Sequence, residues 1–210
     1  MARLPAHSPG ALTEAQQRVY DAIAQGRRAA STSGLIAPDG SLAGPFNAWV
    51  HAPHIGERVQ AVGEVMRFGL SLAPRLAELA ILCVAHEWQA QFEWFAHSRM
   101  AAAAGLEADV IESLRTGVEP QLREEADRAV YAMAKALLGP GHRIPELAYQ
   151  HGVSVLGLDA VVEVVNLVGY YCLVSSVLNG FAVALPNGVT APFVEPGDQA
   201  STPPAPRATS

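Results

Sequence analysis

Between Pro74 and Met100 the chain reads PRLAELAILCVAHEWQAQFEWFAHSRM, an apolar run from Leu76 to Ala85 followed by charged and amide positions interleaved with large aromatics. The first half predicts a core helix. Elsewhere the apolar positions recur at three- and four-residue spacing and predict further helices. Thr13 with Gln16 three residues later forms a capping box that opens a helix over Glu14 to Ala24, stopped at Gly26, with Val19, Tyr20 and Ile23 inward. Arg27 to Pro45, rich in Gly, Ser, Pro and Ala, predicts a long loop with a turn at Pro38-Asp39-Gly40. Gly44 to Pro53 offers a short helical turn, and Pro53 begins a helix ending near Gly69. Past Gly105, helices are expected over Leu106 to Thr116, Glu124 to Leu138 and Pro145 to Gln150. Asp159 then caps a long helix from Ala160 to about Phe181, apolar around most of its circumference and so destined for the domain centre or a subunit interface. The stretches ILCVA and VVEVVNLV are rich in β-branched residues but lack alternation and hairpin chemistry, so the fold class is all-α.

The 210 residues fit one domain spanning 13–185, between an N-terminal arm over 1–12 and a Pro-rich tail over 186–210 that is not expected to pack. The arm is expected to be mobile or laid on a neighbouring subunit. A similarity between the Glu78 and Glu163 stretches, each a glutamate near the start of an apolar helix, hints at duplicated helical hairpins. Half the residues are apolar and 16% charged, as in a compact or assembling protein. The net charge of −6 and the scattered arginines give no electrostatic reason to bind nucleic acid. No uncharged apolar run is read as membrane-spanning, and the N-terminus lacks an apolar signal core, so a cytoplasmic location is expected. Cys83 and Cys172 lie in apolar segments outside any Cys-x-x-Cys and are expected to be buried free thiols.

Imidazoles and carboxylates set among Trp88, Phe92, Trp94 and Phe95 are costly to bury without partners, which makes this stretch the first candidate for chemistry. Glu93 and His97 stand four apart and share a helix face. His86 joins them only if the helix continues unbroken to His97. Arg67 or Arg75 can clamp a substrate carboxylate bidentately. Each residue has a plainer role open to it: Glu93 and His97 as a surface pair, Glu78 as a structural acceptor, and His86, His51 and His54 as structural or exposed side chains. His51-x-x-His54, or His86 with His97, supplies at most part of a ligand set, so no metal is expected.

Arg75-Leu-Ala-Glu78-Leu-Ala-Ile-Leu82, then Phe92-Glu93-Trp94-x-x-His97, Ala103-x-Gly105-Leu106, Val168-Gly-Tyr-Tyr171 and Leu178-Asn179 follow in an order that resembles the carboxymuconolactone decarboxylase family. The resemblance covers roughly Glu14 to Pro186 and implies the all-helical fold that this family shares with the AhpD alkylhydroperoxidases. In the thiol-bearing branch a Glu is followed by eleven residues, a Cys, two residues, a second Cys, three residues and a His. Counted from Glu78, the cysteine positions hold Ala90 and Glu93 while His97 remains. Thiol peroxidase activity is therefore not expected at this site.

The resemblance then implies a lyase of the decarboxylase branch, acting without metal or organic cofactor on a small carboxylated lactone or related metabolite of aromatic catabolism. Its expected catalytic residues are His97, Glu93 and Glu78. Arg67, Arg75, His86, Trp88, Trp94 and His51 are the substrate-binding candidates. By the same resemblance the chain assembles as a homotrimer or homohexamer. A hydrolase or isomerase using Glu93 and His97, and a catalytically silent oligomer that binds a small molecule, are the alternatives.

Overall fold

A computed structural model of the chain describes residues 2–31 and 34–194, and among these it holds ten α-helices and no sheet. In order they are α1 (Glu14–Ala24), α2 (Arg27–Ser31), α3 (Phe46–His51), α4 (Pro53–Phe68), α5 (Pro74–Glu87), α6 (Gln91–Ala103), α7 (Ala108–Thr116), α8 (Glu125–Leu138), α9 (Glu146–Leu156) and α10 (Leu158–Gly180). Local chemistry sets several of these ends. The Thr13–Gln16 capping box opens α1, prolines stand in the first turns of α4 and α5, and Gly117, at a left-handed φ of +73°, closes α7.

Two apolar helices make the centre. α5 packs against α6, α8 and α10, and its stretch from Glu78 to Ala85 is buried without interruption. Burying Leu79 and Leu82 contributes ~1.5 to 3 kcal/mol each. α10 lies beside α5, with Val164, Leu167, Tyr171 and Leu178 inward. Glu163 on α10 is the acceptor that ties down the α4–α5 loop, taking the Ser71 and Leu72 backbone N–H groups at 2.8 Å each. Its counterpart in the sequence similarity, Glu78, is buried among charged partners instead, so the two glutamates do different work.

Three sequence expectations change. The long loop after Arg27 contains α2 and a small ordered turn: Asp39 accepts from the Ser41 N–H and hydroxyl, and Ile36 pairs with Leu42 in an isolated antiparallel bridge. The N-terminal arm lies on its own domain, where Asn47 binds Pro5 and the His7 N–H, and Arg3 binds the Phe181 and Gly180 carbonyls. The start of the C-terminal tail also packs. Phe193 is buried against Trp94 and His86, Gln91 pairs with its backbone at both ends, and Arg115 donates to the Pro192 carbonyl. Residues 195–210 of the expected tail lie outside the described residues.

By length and composition α10 is apolar enough to cross a membrane, and its inner face is buried in the core of the domain. Its exposed face carries Leu158, Val162, Val165 and Leu173. The polar residues on that face turn back on their own helix, Asn166 to the Val162 carbonyl and Ser176 to the Cys172 carbonyl.

Candidate functional site

The α5–α6 junction decides which residues can meet. α5 stops at Glu87, Gln89 takes a positive φ of +48°, and Ala90 is extended before α6 restarts at Gln91. Because of this break, His86 does not continue the face of His97. It sits with Cys83, Tyr131 and Lys135 beside Gly117. The restart places Glu93 in the first turn of α6, where the N–H groups and helix dipole favour a carboxylate.

Four charged groups from three helices form one chain. Arg67 of α4 donates through Nη1 to Glu78 Oε1 of α5 at 2.8 Å; Glu78 Oε2 pairs with His97 Nδ1 at 2.7 Å; and His97 Nε2 pairs with Glu93 Oε1 at 3.0 Å. Glu78, Glu93 and His97 are only 2%, 3% and 7% exposed, while Arg67 reaches the surface. Burial disfavours the imidazolium, but the charge and hydrogen bond of Glu78, with those of Glu93, outweigh it and raise the His97 pKa to about 9. Both ring nitrogens then donate to carboxylates, and the charges alternate along the chain. That alternation offsets a desolvation cost of several kcal/mol per ion.

Tyr171 of α10 closes the cluster edge-on, its ring 5.0 Å from that of His97. Its neighbour Tyr170 stands beside Arg28 of α2, and both line a cavity of about 60 Å³ together with Glu93, Phe92 and Ala96. Burial pushes the Tyr170 hydroxyl up to about 12 against the opposing effect of Arg28, so it remains a proton donor at neutral pH. Glu93 therefore faces the cavity, and His97 stands behind it with both nitrogens engaged.

Gly63 of α4 makes room for this arrangement. A Cβ there would intrude on the Tyr170 hydroxyl and stand 2.6 Å from Arg28 Nη2. Gly63→Ala should therefore destabilise the protein by about 1 to 3 kcal/mol, despite the ~1 kcal/mol that alanine ordinarily gains within a helix. Urea denaturation checks this, and a variant as stable as the parent would contradict the packing described.

The remaining sequence candidates have other partners. Arg75 forms an ion pair with buried Asp127 of α8, tying α5 to α8. His51 pairs with His7 at 3.1 Å and bonds the Pro5 carbonyl, holding the N-terminal arm, while His54 is exposed. Trp94 is core, packed on Phe193. Trp88 is exposed and its carbonyl accepts from Asn179. Arg67, offered as a carboxylate clamp, is bound to Glu78 and touches Met100 sulfur. Sequence reasoning passed over Arg28, Tyr170 and Tyr171 as site residues. The two adjacent hydroxyls in an otherwise apolar helix were a usable signal, whereas Arg28 gave none, since only the fold carries it to the cavity. Neither thiol joins the site: Cys83 is buried with its pKa pushed up to about 12, and half-buried Cys172 is also raised.

No protein-family model matches this chain, and no curated protein matches it. Solved structures do. The crystal structure of an AhpD-core, uncharacterized peroxidase-related protein from Ralstonia eutropha superposes with a TM-score of 0.68 at 13% identity, covering 89% of this chain and 93% of that one. The fold is AhpD-like. A second structure, a protein of unknown function from Agrobacterium tumefaciens proposed as an AhpD antioxidant-defence protein, gives a TM-score of 0.60 at 18% identity over 67% of this chain and 96% of its own. At such identities the likeness extends to the fold alone.

Proposed function

We propose that this protein is an acid/base enzyme acting on a small organic substrate, with Glu93 as the group that exchanges a proton with it. The observation that carries this reading is the position of Glu93, facing the small cavity on one side and the His97 imidazolium on the other. A proton can pass from His97 Nε2 through Glu93 to a basic carbon, leaving a neutral imidazole still held by Glu78. Glu78 and Arg67 fix the ring and its charge.

Decarboxylation is the reaction class that the sequence resemblance favours, and it makes the protein a carbon–carbon lyase. When the carbon–carboxylate bond breaks, its electron pair moves into an enolate, carbon dioxide departs, and Glu93 with His97 supplies the proton that quenches the carbanionic carbon. Tyr170 and Arg28, which line the same cavity, are the donors for the developing oxyanion in this reading. Isomerisation uses the same proton transfers without loss of carbon dioxide. The test is to offer carboxylated unsaturated lactones and oxo acids to the full chain. Release of carbon dioxide identifies the lyase, rearrangement without it the isomerase, and no Glu93-dependent turnover across the panel would refute both.

Thiol peroxidase chemistry has no support at this position, where Ala90 and Glu93 replace the two cysteines of the thiol-bearing branch. Replacing Cys83 and Cys172 by Ala together should leave turnover within a few-fold. Collapse of turnover in a folded double variant would restore a redox role. The exposed apolar face of α10 supports self-association as the assembly of this enzyme, and light scattering showing a monomer at micromolar concentration would count against it.

A further inference from the structure

Next to the small cavity that holds Glu93 lies a larger one, of about 410 Å³, and the two share Phe46, Phe92 and Ala96 as walls. A volume of this size suits a small metabolite rather than a water or an ion. Its lining is apolar, with Leu35, Phe46, Phe92, Phe95 and Met100 prominent, and among the described residues it carries one charged side chain, Arg99. Arg99 is exposed and stacks over Phe95, its guanidinium 4.4 Å from the ring centroid. Glu93 and Arg99 both belong to α6, six residues apart, which separates them by roughly 9 Å along the helix axis at ~1.5 Å per residue. The inner cavity admits only a few heavy atoms, and those would lie among a carboxylate, a phenol and a guanidinium.

We infer that the two cavities form one site for an oxo acid with an apolar body: a carbonyl with an adjacent C–H group in the inner cavity, an apolar chain or ring in the outer one, and a carboxylate at Arg99. This site rests on the acid/base reading above and adds the substrate class to it. Each part of the site matches one part of the ligand. Glu93 takes a proton from the carbon next to the carbonyl. The C–H electron pair becomes the new carbon–carbon π bond, the carbonyl π pair moves to oxygen, and that oxyanion accepts from Tyr170 and Arg28. Returning the proton to either end of the enolate completes an exchange or an isomerisation with no co-reactant. The apolar walls discriminate against small polar ketones, and a charge-assisted pair at Arg99 against neutral ones of the same length.

The test follows hydrogen exchange in deuterium oxide by proton NMR, using 7-oxooctanoate, 2-octanone and acetone as probes with the full chain. The expected result is Glu93-dependent exchange next to the ketone. Exchange of 7-oxooctanoate should be faster than that of 2-octanone by about tenfold, the worth of one charge-assisted contact, and faster again than that of acetone. Arg99→Met should abolish the preference for 7-oxooctanoate over 2-octanone, and Tyr170→Phe should slow exchange of every probe. Glu93-dependent exchange that is as fast on acetone, or a preference untouched by Arg99→Met, overturns the substrate class while leaving the acid/base reading in place. Saturable, Arg99-dependent binding of 7-oxooctanoate with no exchange upholds the ligand class and overturns the acid/base reading. Neither binding nor exchange overturns both.

Discussion

Glu93→Gln should lower turnover by at least about 10²-fold while the protein stays folded, because the amide keeps the shape of the carboxylate and an oxygen for His97 Nε2–H but cannot carry the proton. Position sets the size of the effect. A surface glutamate in an i,i+4 pair contributes a few tenths of a kcal/mol and no catalysis. Glu93 is buried, bordered by the cavity on one side and by a charged imidazole on the other. His97→Gln should lose a comparable factor but behave differently on heating. Removing the imidazolium leaves Glu78 and Glu93 without the cation between them, so melting should fall as well. Turnover and thermal denaturation of the two variants side by side check this. Near-normal turnover in Glu93→Gln would move the chemistry elsewhere.

The second large effect is on stability. Glu78→Ala removes the one carboxylate shared by Arg67 and His97, leaving His97 paired to Glu93 alone and Arg67 without its anion. Breaking a buried pair by deleting one partner typically costs 3 to 5 kcal/mol, a large part of the roughly 5 to 15 kcal/mol that holds a domain together. Urea unfolding should show a midpoint shift of that order. A change under about 1 kcal/mol would mean that solvent reaches the cluster far more freely than its burial implies.

Much of the fold was legible because its signals are local. Thr13 and Gln16 fixed the start of α1, Gly117 the end of α7, and the spacing of Ala129, Val130, Met133 and Ala134 the inner face of α8. α9 ran past the expected Gln150 to Leu156, since Val153 and Leu156 pack on the core although Gly152, just before them, is a weak helix former. Within the site, the Glu93–His97 pair was legible from four-residue spacing. The choice of Arg67 over Arg75 as the partner of Glu78 was not. Arg75 lies on the same helix as Glu78 and looks the nearer candidate, yet it faces Asp127, while Arg67 arrives across the α4–α5 loop. Phe193 shows the same limit from the other direction: the proline-rich composition around it predicts loose chain, but a single aromatic side chain found a place between Trp94 and His86.

The most direct measurement of the proposed proton chain needs no substrate. Nitrogen-15 NMR of the His97 ring, recorded across pH in the parent chain and in Glu93→Gln, reads the proton where the chain stores it. In the unfolded chain His97 titrates near its ordinary 6.5, and in the folded protein near 9, so the stability its charge contributes is fully present below about pH 6.5 and is lost as pH rises through about 9. Both ring nitrogens should therefore carry protons at pH 7.5 in the parent, with a midpoint near 9, and the midpoint should fall in Glu93→Gln. A neutral ring at pH 7.5, or a midpoint that ignores the loss of the Glu93 charge, would contradict the account.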